Sequence, residues 1–226
     1  MQKFIVEGPR MVEEALPYAK EILYTKEFPV LSKAKGLKIP CHKITEKQFK
    51  KLSKVVSPQG VLAYVQVSCD LSLQIGSLLV GCVDIQDPGN LGTIIRTADA
   101  VGAAGIVATK GCADPYNQKT IRATAGSIFR VPVVRTENIF ETISEFKQKK
   151  FKVVAADSEG VEDYWLTDLT GNTLVLIGNE GAGLSKEILE AADIVVKIPI
   201  PGKAESLNAA VSASVIMYEA LRQKNG

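Results

Sequence analysis

Three short stretches hold the residues whose types and spacing could do chemistry. The first runs Asp84-Ile85-Gln86-Asp87-Pro88-Gly89-Asn90 and leads into LGTIIRTADAVG. Pro88-Gly89 favours a turn, and Asn90 is suited to cap the helix that follows. Leu91, Ile94, Ile95, Ala98 and Val101 recur at helical spacing, while Arg96 falls off that stripe with Thr93 and Ala100. An arginine the core does not need, close to a helix N-terminus, fits a phosphate clamp. A solvated surface arginine accounts for the same pattern.

The second stretch is Leu176-Ile177-Gly178-Asn179-Glu180-Gly181-Ala182-Gly183-Leu184-Ser185, a strand end, a glycine-rich turn and a helix start capped by Ser185. Its spacing is neither that of a dinucleotide-binding turn nor that of a P-loop. Glu180 would repel a phosphate and suits an amine, a hydroxyl or a ribose better. An ordinary strand-to-helix turn remains the alternative. The third stretch is Ile198 to Asn208, a Pro/Gly loop entering the helix SLNAAVSASVIMYEAL. That helix is apolar around its whole circumference, so it must be covered on every side. Its polar entry, Ser206 and Asn208 around Leu207, suggests a ligand at the helix start.

The absences restrict the chemistry. His42 is the single histidine, so no Ser-His-Asp or Cys-His arrangement and no histidine-based metal site can be assembled. Cys41, Cys69, Cys82 and Cys112 are spaced for neither a zinc knuckle nor a disulfide scaffold, and read as reduced thiols. Catalysis, if any, rests on Arg, Glu, Asn and Ser, and on positioning.

The elements that must hold these stretches alternate. Apolar runs at Leu78–Ile85, Gly105–Thr109, Arg130–Arg135, Phe151–Asp157, Thr173–Gly178 and Ile194–Ile198 predict buried parallel strands. Helices are predicted at Leu91–Val101, Ile139–Lys149, Lys186–Ala192 and 206–221. This is an α/β pattern, a mostly parallel sheet with helices on both faces and ligands beyond the strands' carboxyl ends. Residues 1–68 make a smaller α/β unit. Its expected strands are Phe4–Val6, Glu21–Thr25, Leu37–Ile44 and Val61–Val67. Its expected helices run from Pro9 to Leu16, from Phe28 to a stop at Gly36, and from a capping box at Thr45. Residues 69–76 read as a linker, and 77–226 as the larger domain.

The chain has 226 residues and a net charge of +2. The charge is uneven, with 12 Lys/Arg against 6 Asp/Glu in residues 1–68 and 15 against 19 in the remainder. A basic first third hints at a polyanion, though a lysine-rich solvated surface is also consistent. No apolar run is long enough to span a bilayer and no secretory signal is evident, so a cytoplasmic protein is expected.

Taken together, Asn90-x-Gly92-x-x-x-Arg96-Thr97-Ala98, Gly178-Asn179-Glu180-Gly181-x-Gly183-Leu184-Ser185, and Ile198-Pro199 with Ser206-Leu207-Asn208 resemble the three motifs of the SpoU (TrmH-like) RNA ribose methyltransferases, in order and spacing. FIVEGPRMVEEAL and SPQGVLA resemble the small ribosomal-protein-like RNA-binding domain that often precedes them. The resemblance implies a trefoil-knotted α/β fold of the SPOUT class, S-adenosylmethionine as cofactor, and a homodimer with its active site at the interface. It implies no metal and no membrane. Gly178, Asn179, Ile198 and Leu207 would contact the cofactor, with Thr109 nearby. Arg96 would meet the reacting ribose 2′-hydroxyl and an RNA phosphate, with Asn90, Glu180, Ser206 and Asn208 around it. The small basic domain leads us to expect structured rRNA in preference to tRNA. An RNA-binding protein on the same scaffold, without turnover, is the alternative.

Overall fold

The computed structural model describes residues 1–226 except Lys54, Val56, Ser72 and Ile75. Two sheets organise it. The N-terminal one holds β1 (Gln2–Glu7), β2 (Ala19–Tyr24), β3 (Cys41–Lys43) and β4 (Val61–Val67), in the order β1-β4-β2-β3. Its helices are α1 (Pro9–Glu14), α2 (Pro29–Gly36) and α3 (Glu46–Leu52). The expected capping box at Thr45 is present, with Thr45 and Gln48 bonding reciprocally. Three expectations change here, one being that the strand expected over Leu37–Ile44 is confined to Cys41–Lys43. The first helix stops at Glu14 and a 3₁₀ turn over Leu16–Tyr18 follows, because Pro17 cannot donate to a continuing α-helix. Gly36 stays within α2, and Lys38 takes the left-handed conformation instead, with φ 58°.

The large sheet is formed by β5 (Leu78–Cys82), β6 (Gly105–Thr109), β7 (Val133–Thr136), β8 (Lys152–Ala156), β9 (Glu162–Asp163), β10 (Thr173–Ile177) and β11 (Ile194–Lys197). Their order is β7-β6-β5-β10-β8-β11-β9, and the pairings are parallel. Its helices are α4 (Pro88–Ala100), α5 (Gln118–Ala123), α6 (Ile139–Gln148), α7 (Lys186–Ala191) and α8 (Ala209–Asn225). β10 shows why its sequence is an unbroken apolar run. Val175 and Ile177 join the core beneath α4 and α8, while Leu174 and Leu176 join the core beneath α6 and α7. Both faces of the sheet are covered, so the four positions after Thr173 are all apolar.

The two sheets share a core. Phe4 stacks near Tyr116 and Phe129, with centroids 4.8 and 6.1 Å away, and Tyr18 lies 5.5 Å from Phe129. The Gln118 side-chain amide donates to the Ile5 carbonyl at 2.7 Å.

The last helix departs from expectation twice. It starts at Ala209, with Ser206 and Leu207 in the loop before it. It is also not covered on every side in one chain, since Val211 and Tyr218 are 48% and 53% exposed.

Candidate active site

The site collects at the carboxyl ends of β5, β10 and β11, where the chain leaves the sheet in loops. The loop after β5 begins at Asp84, held at φ 54°. The Thr109 hydroxyl donates to Asp84 Oδ1 at 2.6 Å and accepts the Asp84 N–H at 2.9 Å, which fixes that uncommon conformation. The cap of α4 is Asp87 and not Asn90. Pro88 occupies the first turn, where its missing N–H costs nothing, and the Asn90 N–H donates to Asp87 Oδ1 at 2.9 Å. This frees the Asn90 side chain to face the second loop.

That second loop is pinned to the first. The Asn179 amide donates to the Asp84 carbonyl at 2.8 Å, and its oxygen accepts the N–H groups of Gly181 and Ala182. Gly178 has no room for a side chain, because a Cβ would stand 2.3 Å from the Gly183 carbonyl carbon. Glu180, which the sequence suggested for an amine, a hydroxyl or a ribose, already has protein donors. Its carboxylate accepts the Gln86 and Asp87 N–H groups at 3.3 and 3.2 Å and the Asn90 amide at 2.8 Å. Partial burial works to raise the Glu180 carboxyl, but the Asn90 amide and the backbone donors together outweigh it and hold the group below the ordinary carboxylate range.

The third loop closes the network. The Asn208 amide donates to Asn90 Oδ1 at 3.0 Å, while Asn208 Oδ1 caps α8 by accepting the Ala210 and Val211 N–H groups. Glu180, Asn90 and Asn208, which lie far apart in the chain, thus form one continuous chain of hydrogen bonds. Deeper along the same seam, Thr97 and Ser214 join α4 to α8 at 3.0 Å. Gly92 lets α5 approach α4, since a Cβ there would meet the Ala123 methyl at 2.4 Å.

A cavity of about 260 Å³ opens beside this network. Six of the residues singled out by sequence line it: Gly178, Asn179, Glu180, Ile198, Ser206 and Leu207. Thr109 does not, and acts one layer back through Asp84. Arg96 is exposed on α4, outside the cavity, and no ion pair among the described residues engages it. Sequence reasoning missed Asp157, Ser158, Ile200 and Ser212 in the lining. The position of Asp157 just beyond a strand's carboxyl end was the available signal. It also missed Lys119, whose ammonium lies 3.3 Å from the Asp87 carboxylate at the mouth of the site. The Asn90 N–H, helped by Lys119, holds the Asp87 carboxyl below its usual range against the opposing effect of burial. No group of three His, Cys, Asp or Glu among the described residues is placed to hold a metal ion.

Comparison with known proteins agrees with this geometry. The family model of the SpoU rRNA methylase family matches residues 77–218. The chain belongs to that family. A model described as the MRM3-like substrate binding domain matches residues 1–63. The chain is 37% identical over 219 residues to the 23S rRNA (guanosine(2553)-2'-O)-methyltransferase RlmP of Bacillus subtilis (strain 168), covering 95% of this chain and 87% of that one. The SpoU methyltransferase AviRb from Streptomyces viridochromogenes, solved in complex with AdoMet, superposes with a TM-score of 0.87 at 32% identity, covering 99% and 91%. An AdoMet-bound rRNA methyltransferase from Sinorhizobium meliloti gives 0.83 at 32%, covering 97% and 87%. The fold thus places the second and third motifs around one cavity and ties the first to them through Asn90. No helix among the described residues is long and apolar enough to cross a membrane.

Proposed function

We propose that the protein transfers a methyl group from S-adenosylmethionine to a ribose 2′-hydroxyl of RNA, with rRNA as the substrate class. The observation that carries this reading is the continuity of the cavity with the Glu180–Asn90–Asn208 network. The lining fits an adenosyl cofactor. Ile177, Val196, Ile198 and Leu207 offer aliphatic walls for a flat ring, and Asp157, Ser158, Ser206 and Ser212 offer polar partners for its remaining groups. Gly178 and Asn179 bring backbone to the same space. When bound there, the cofactor supplies an electrophilic methyl carbon.

The chain's residues then align the reaction. Arg96 is a permanent cation, with an arginine's pKa above about 12, so we assign it an RNA phosphate beside the reacting ribose. Asn90, Asn208 and Ser206 position that ribose. The hydroxyl oxygen gains the methyl group and loses its proton to solvent, while the sulfur–methyl bond would break and S-adenosylhomocysteine would leave. Alignment of this kind supplies much of the rate in a displacement whose geometry is strict.

We further propose that residues 1–68 hold the RNA, joined through 69–76 to a catalytic domain over 77–226, and that the path around α8 is knotted. The exposed Val211 and Tyr218 on α8 support a second copy of the chain packed there, beside the site. The basic excess of residues 1–68 and the name of the Bacillus relative support rRNA.

The test is transfer of labelled methyl from S-adenosylmethionine to fractionated cellular RNA. Label in rRNA at an alkali-resistant linkage is the expected result. Label confined to bases would sink the ribose assignment, and no label in any fraction would leave an RNA-binding scaffold without turnover.

A further inference from the structure

A groove of about 720 Å³, larger than the cavity of the active site, lies where the N-terminal sheet meets the large one. Its floor is the open face of that sheet. Ile5 on β1 pairs with Tyr64 on β4, and Lys3 pairs with Gln66, so all four side chains share one face. The far wall is the segment from Asp114 to Gln118, carrying Tyr116 and Asn117. Lys3 and Lys20 are exposed at the rim, and no ion pair among the described residues engages either. Glu7 lies in the lining. One of its oxygens accepts the Ser53 hydroxyl at 2.8 Å, and the other is buried with no partner among the described residues. A buried carboxylate oxygen in that state calls for a donor.

The wall segment of the groove is hydrogen-bonded to the loop after β5 that leads to Asn90. Gln118 bonds the Ile5 carbonyl, and the next residue, Lys119, bonds Asp87. Ala113 donates to the Ile85 carbonyl at 2.8 Å. The groove and the Asn90 network are thus neighbours through one segment, Ala113 to Lys119.

We infer that the groove holds one unpaired nucleotide of the RNA substrate, its base against the Tyr64 ring, its phosphates at Lys3 and Lys20, and its N–H edge toward Glu7. This rests on the methyltransferase reading above. Unstacked bases are the usual target of sequence-specific RNA recognition, and each presents a face that an aromatic ring can stack on. A carboxylate only accepts. Guanine offers it two adjacent N–H donors, whereas the N–H of uracil sits between two carbonyl acceptors, so a guanine is favoured and a uracil rejected.

The test uses the full chain and short labelled RNA single strands, guanine-containing or all-uridine, with a duplex of equal length, read by fluorescence anisotropy. The wild type should favour the guanine-containing strand over both. Tyr64→Ala should weaken that binding by roughly tenfold or more, from the loss of one stacked base, and Tyr64→Phe should restore it. Glu7→Gln should narrow the gap between guanine and uracil strands. Lys3→Glu, at an exposed position, should weaken binding most at low salt. Wild-type affinities equal for single strand and duplex, or Tyr64→Ala and Lys3→Glu both binding as wild type does, would overturn the proposal. Methyl transfer to total RNA is measured in parallel. No transfer by the wild type overturns the methyltransferase reading, whereas transfer with one KM for wild type and Tyr64→Ala overturns the groove alone.

Discussion

The Asn208 side-chain amide donates to the Asn90 side-chain carbonyl at 3.0 Å, tying the first turn of the last helix to the first turn of α4. Each asparagine has a second task. Asn208 caps α8, and Asn90 donates to Glu180. The two loops that face the cavity therefore cannot shift independently of the loop after β5.

Asn208 separates these tasks by substitution. Asn208→Ala removes the cap and the bridge, and should lower stability by about 1–2 kcal/mol, the range for a lost N-cap. Asn208→Asp keeps a capping acceptor but has no donor for Asn90. Its unfolding free energy in urea should stay near that of the wild type, while S-adenosylmethionine affinity measured by calorimetry falls. Equal affinity for Asn208→Asp and wild type would remove the bridge from any role in cofactor binding.

Glu180 gives a pH dependence of known sign. Its folded pKa lies below the ordinary glutamate value. Its contribution to stability is therefore fully present above that ordinary value, about 4.3, and is lost as pH falls through the folded pKa. Glu180→Gln should have a lower Tm than the wild type at neutral pH. The gap should close in acid, where the wild-type carboxyl is itself neutral. A gap that stays constant from neutral to acid would contradict the assigned hydrogen bonds.

Gly178→Ala places a methyl group against the Gly183 backbone. The clash is with main chain that cannot swing aside, so the cost should be about 1–3 kcal/mol, as for overpacking. Cofactor binding should be lost as the turn opens. Tm and calorimetric titration of the variant check both.

Arg96→Ala should leave Tm within the small range of surface substitutions, about 0.5 kcal/mol, because the guanidinium is exposed and no ion pair among the described residues engages it. Methyl transfer should fall by roughly 10²-fold from lost alignment, with S-adenosylmethionine binding unchanged. A lysine at this position should recover part of the rate, as it supplies charge without the planar fork.

Val211→Asp on the exposed face of α8 should convert a dimer to a monomer in sedimentation and reduce methyl transfer with it. A monomeric wild type would end the proposal of a paired active site.

Much of the frame was legible in the chain. The runs at Gly105–Thr109 and Thr173–Gly178 are apolar without interruption, and only a strand covered on both faces needs that. The Thr45 capping box is local, so its four residues specify it. The short α5 was not legible. Its six residues carry no long stripe, and their helical state depends on the Asn117 cap and on contact with Gly92 across from α4.

The candidate site divides along the same line. The resemblance of three motifs in order to one family grouped Asn90, Arg96, Glu180 and Asn208, and the hydrogen bonds join all but Arg96. Residue types by themselves determined that the chemistry cannot rest on histidine. Only the tertiary structure decided what each group bonds. Proline at the first turn of α4 passes the cap to Asp87, the strand order brings the loop after β10 beside the loop after β5, and Glu180 finds its donors there instead of in a ligand. Thr109 likewise serves Asp84 and not the cavity. Hydrogen bonds between residues so far apart depend on which strands are neighbours, and that is settled by packing of the whole sheet, not by any local pattern.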